Sequence, residues 1–84
     1  MRRDDYALRL LNELPITEHG RIFLEAVRDR CEEDDRDMRE NPHFDNENIK
    51  RDLRYRLGWV AALKWILAVP EEAANEQSNR KKEA

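Results

Sequence analysis

Two histidines, one cysteine and a run of four acids are the residues here whose types could support chemistry. Glu32-Glu33-Asp34-Asp35 offers carboxylates for acid–base work, which needs two of them in one cleft with unequal proton affinities. Consecutive helical residues point in different directions, and basic neighbours offer these acids ordinary pairing. His19, Cys31 and His43 are scattered along the chain, and no His-Glu-x-x-His, Cys-x-x-Cys or acidic calcium-loop spacing joins them. Cys31 reads as a small buried apolar residue. Ser78, the one serine, lies near the C-terminus with no partner for a nucleophile. Two glycines do not make a phosphate-cradling loop. The expectation is a protein without catalytic, cofactor or metal residues and without a small-molecule substrate.

Three helices and a tail are the elements that carry these side chains. The first spans about 4–14: Asp4 and Asp5 suit its N-terminus, Ala7, Leu10, Leu11 and Leu14 recur at helical spacing, and Pro15 ends it. Thr17 caps a second helix, about 17–40, with Phe23, Val27, Cys31 and Met38 in one stripe, Leu24 beside it and Asp34 where another apolar residue belongs. Ile22 and Ala26 face elsewhere. Asn41-Pro42-His43 is a turn. Asp45 then caps a third helix, about 46–69, with Phe44 and Ile49 placed to form a hydrophobic staple, and Pro70 stops it. Residues 1–70 form one domain on this reading, and the polar segment 71–84 is a tail, mostly mobile without a partner. The fold class is all-α: a long antiparallel hairpin with a short N-terminal helix packed on its apolar end.

With the turn centred near Pro42 and His43, facing residues have numbers summing to about 86, and the acidic run lies across from Lys50, Arg51 and Arg54. Residues 28–40 hold four basic and seven acidic side chains, whereas residues 50–56 hold four basic and one acidic. Charge near the tip is therefore complementary and selects register more than it stabilises. At the other end, Ile49, Leu53, Leu57, Val60 and Leu67 form one apolar stripe of the third helix. Tyr55, Trp59, Ala62, Leu63 and Ile66 form a second, with Trp65 on the centre of neither. One stripe suffices for the second helix. The surplus defines the expected protein interface: Tyr55, Trp59, Ala62, Leu63, Trp65 and Ile66. Gly58, inside that helix, would permit close approach of a neighbour.

Composition narrows the classes further. Of 84 residues 42% are charged, with a formal net charge of −3, which does not favour direct contact with DNA or RNA. The longest apolar run, 59–69, contains Lys64 and is too short to span a membrane, and no secretory signal or disulfide framework is expected. An alternative surface is the acidic set Asp29, Glu32, Glu33, Asp35 and Asp37, which would imitate a phosphate track in a small inhibitor that occupies a partner's nucleic-acid groove.

The segment 54–72, with Gly58, Val60, Leu63, Leu67, Pro70, Glu71 and Glu72 at the matching positions, resembles the C-terminal helix of small helical proteins encoded in tailed-phage gene clusters. The likeness covers about a quarter of the chain. It implies a virion component or assembly accessory, located in the virion or the host cytoplasm, that works through self-association or a protein partner.

Overall fold

The computed structural model describes residues 3–83. Helix α1 (Asp5–Glu13) starts where the Asp4 carboxylate accepts the Ala7 N–H at 2.7 Å. Pro15 then falls in a tight turn over 14–16, before the Thr17 hydroxyl accepts the Gly20 N–H at 3.1 Å and donates to the Leu14 carbonyl at 3.0 Å. That capping opens α2 (Glu18–Glu40). Gly20 is needed at this joint: a Cβ there would lie 2.7 Å from Thr17 Oγ1 and inside the Leu14 carbonyl. Along α2, ion pairs at i,i+4 link Arg21 with Glu25, Arg30 with Asp34 and Arg39 with Asp35. These pairs are largely open to solvent and add little to stability.

The third helix begins later than residue 46. Asp45 spends its carboxylate on the Glu47 and Asn48 N–H groups at 3.0 and 2.8 Å, an Asx turn rather than a helix start. A short 3₁₀ turn, Ile49–Arg51, follows under Asn48, and Asp52 is the residue that caps α3 (Leu53–Glu83). Asp52 also accepts the Asp45 N–H at 2.8 Å, and Leu53 donates to the His43 carbonyl at 2.8 Å, which closes the loop into a compact unit. Phe44 and Ile49 both stay exposed, and Phe44 lies under the Arg54 guanidinium instead of stapling the helix.

Moving the helix start by seven residues moves the pairing. Asp37 meets Arg56 at 2.8 Å and Asp34 meets Trp59 at 2.6 Å, so facing residue numbers sum to 93, not 86. Lys50 and Arg51 sit in the loop, and Arg54 turns back to Asp52, so the acidic run is not matched by those three cations. Phe23 is displaced from the core as well, leaving Leu24, Cys31 and Met38 as the buried residues of the second helix beside Gly20.

The helix also fails to stop at Pro70. It continues to Glu83, so the expected mobile tail is helical. Proline within a helix removes one hydrogen bond and costs about 3 kcal/mol in isolation. Here Pro70 is buried, and the segment beyond it is held by α1. Leu8 is fully buried, Ala73 is buried, Asn12 donates to Gln77 at 2.9 Å, and Arg80 bridges Asp5, Glu76 and the Arg3 carbonyl. Packing of an amphipathic face outweighs the local penalty.

Helices α1 and α2 thus follow one another down the same side of α3 and pack on it without packing on each other. The result is an all-α hairpin whose descending arm is broken at Leu14–Thr17, measuring 52 × 27 × 16 Å. The shortest dimension is little more than one helix diameter. Both broad faces therefore lie open, and the central cluster of Cys31, Val60 and Leu63, flanked by Val27, Ile66 and Leu67, is a single seam between α2 and α3.

Candidate protein-docking face

The α3 residues on the seam, Val60, Leu63 and Leu67, fix which directions remain open. Turning about 100° per residue places Trp59 and Ile66 at the edge of the α2-facing side, Tyr55 and Ala62 further round, and Gly58 and Trp65 on the side opposite the seam. Tyr55, Trp59 and Trp65 leave 42, 42 and 55% of their surface exposed. Ala62 is exposed and Ile66 half-buried against the seam. Leu63, which the sequence grouped with this face, is buried in the seam and is not available for docking.

Trp59 is exposed yet held. Its indole N–H donates to Asp34 at 2.6 Å, and the same carboxylate oxygen accepts Arg30 Nε at 2.9 Å. Burial alone would push the Asp34 carboxyl up, but the Trp59 N–H, the Arg30 hydrogen bond and the charges of Arg30 and Arg56 hold it below the usual carboxylate range. The polar residue in the α2 stripe thus fixes an aromatic ring across the groove between α2 and α3. This groove, of about 470 Å³, is lined by Lys50, Tyr55, Arg56, Trp59 and Val60 on one side and Arg30, Asp34 and Asp37 on the other. An aromatic ring held in one orientation loses less freedom on docking than a loose one.

Gly58 meets no other part of the fold: beyond its chain neighbours and the adjacent helix backbone, no atom lies within 4 Å of where its Cβ would be. Within one copy of the chain it does not serve close approach, a role that belongs to Gly20. Its helix cost of about 1 kcal/mol against alanine is therefore not offset by any packing inside the chain.

Phe23 and Ile22 of α2 are each 53% exposed, and Tyr6 and Leu10 of α1 are also exposed. The sequence hinted at Ile22, whose helical position departs from the core stripe. It gave no such signal for Phe23, whose spacing fits the seam. In the fold the adjacent Leu24, not Phe23, is the buried residue of that turn.

The acidic set divides. Asp29, Glu33 and Asp37, at i, i+4 and i+8, share one row of α2, whereas Glu32 and Asp35 project from other sides. Asp37 is paired with Arg56 and Asp35 with Arg39, while Asp29, Glu32 and Glu33 make no ion pair among the described residues. Cys31 is buried in the seam, and His19 and His43 are exposed and far apart in the fold, at the start of α2 and in the loop. Among the described residues no three His, Cys, Asp or Glu side chains converge as metal ligands, and no helix is long and apolar enough to cross a membrane.

No family model, curated protein or solved structure matches the chain.

Proposed function

We propose that this chain is a non-enzymatic helical assembly protein that works by presenting the aromatic face of α3 to another protein surface. The carrying observation is the exposure of Tyr55, Trp59 and Trp65 on one helix, with Trp59 fixed by Asp34. Aromatic side chains dominate the energetics of protein interfaces, and α1 and α2 both pack on the other side of α3 and leave these rings uncovered. The resemblance of 54–72 to phage-encoded helical proteins adds the setting: a component or accessory of a phage particle, acting in the virion or the host cytoplasm.

A photo-reactive amino acid at position 65, in the full chain made in its producing cells, tests this reading. Adducts to protein are expected on irradiation, and a probe at Glu32, on another side of the molecule, should give far fewer. Equal labelling from both positions, or no protein adduct from position 65, would overturn it.

A further inference from the structure

We infer that the molecule bends at its middle: α1 and the distal part of α3, residues 71–83, move as one lobe against a second lobe made of α2 and the proximal part, residues 53–69. This motion does not depend on what docks on α3. The two lobes have separate cores. Leu8 and Ala73 are buried in the first, whereas Cys31, Val60 and Leu63, with Val27, Ile66 and Leu67 against them, form the packed cluster of the second. Polar ties divide in the same way. Asn12 holds Gln77 and Arg80 holds Asp5 and Glu76 within the first lobe. Arg56 holds Asp37 and Trp59 holds Asp34 within the second. Outside the 14–17 joint, and among the described residues, no side-chain hydrogen bond or ion pair runs from one lobe to the other. Helix α1 does not pack on α2 either.

The chain passes between the lobes twice, and both crossings are weak points. At 14–17 the helical ladder is interrupted, since α1 ends at Glu13 and α2 begins at Glu18. At Pro70 α3 continues, but the proline ring has no N–H, so the Ile66 carbonyl lacks its partner four residues on. The crossings stand side by side in the fold. Pro15 and Pro70 line one cleft of about 340 Å³, together with Asn12 and Ala74 of the first lobe and Leu24 and Leu67 of the second.

Two adjacent weak points across the width of the molecule define a bending axis. Hinge motion needs only a few residues at element ends or breaks that absorb the change in dihedral angles. A filled interior would resist it, because close-packed side chains have nowhere to go, whereas an open cleft at the joint leaves the lobes room to close. Tyr55, Trp59 and Trp65 all ride on the second lobe, so bending changes their position relative to Tyr6 and Leu10, exposed on α1.

Residual dipolar couplings of the backbone N–H groups, measured on the unmodified full chain in a weakly aligning medium, test the motion. A rigid molecule aligns as one body. Here couplings from 5–13 and 71–80 are expected to fit one alignment tensor, and those from 18–40 and 53–67 a second of unequal magnitude. Pro70→Ala supplies the missing N–H and should bring the two magnitudes together. A single tensor that fits both lobes of the unmodified chain would overturn the hinge. Unequal tensors that Pro70→Ala leaves unchanged would overturn Pro70 as its pivot. Couplings from 5–13 and from 71–80 that demand separate tensors would overturn the first lobe as a unit.

Discussion

The carboxylate of Asp52 accepts the Arg54 guanidinium at 2.9 and 3.1 Å and the amide N–H groups of Asp45 and Arg54, and the residue is only 4% exposed. The Arg54 hydrogen bond, then the Asp45 N–H, hold its carboxyl far below the usual range, with burial acting in the opposite direction. A carboxyl with a lowered folded-state pKa adds stability that is present above its unfolded pKa of about 3.9 and lost as pH falls through the folded value. Urea midpoints followed by circular dichroism should therefore fall on acidification below about pH 4, and Asp52→Asn should lower the midpoint at neutral pH and flatten that decline. The two glycines make a second residue-level contrast. Gly20→Ala is expected to lower the melting temperature, because its methyl group would meet the Leu14 carbonyl and Thr17. Gly58→Ala should raise the stability of the dilute monomer by up to about 1 kcal/mol. Nothing in the sequence separates the two: both are single glycines within helical patterns, and only the neighbouring atoms decide.

Helix α1 and the distal half of α3 exist as each other's partners. Leu8 is fully buried between them, so Leu8→Ala should cost about 2–5 kcal/mol and remove hydrogen-exchange protection from residues 73–80 along with α1. Deleting residues 71–84 should reduce the far-ultraviolet helical signal by more than the deleted residues contribute, because α1 loses the surface it docks on. An undiminished signal per remaining residue would contradict that dependence. The start signals of α1 and α2 were legible because Asp4 and Thr17 act within one turn of themselves, as capping residues do. Asp45 carries the same local signal and does not begin a helix. Asp52 and Asn48, within seven residues, compete for the same stretch of backbone, and the closed loop satisfies more donors. Pro70 misled for the complementary reason: its local penalty is real, but the contacts that offset it come from a helix nearly sixty residues earlier.

A molecule of 52 × 27 × 16 Å can bury one seam and little else. Among the described residues eleven large apolar side chains remain exposed, including both tryptophans, so the monomer is a half-covered structure. Contacts among apolar rings persist in salt, whereas contacts between exposed charges are screened at high ionic strength. Raising the salt concentration should accordingly weaken docking on the aromatic face of α3 only modestly. Loss of association at moderate salt would instead indicate a contact dominated by charge, as the acidic row of α2 would make.

The all-α class, the helix periodicities, the two N-terminal caps and the surplus of aromatic residues on the third helix were fixed by the sequence alone, because each depends on residues within a turn or two of one another. The tertiary structure decided the register of α2 on α3, the continuation of α3 past Pro70, and the division of the second stripe into buried Leu63 and exposed Tyr55 and Trp59. These depend on the length and closure of the 41–52 loop and on which distant surface meets which. Shifting the pairing sum from 86 to 93 rotates and slides one helix against the other, and that determines which face is left for a partner.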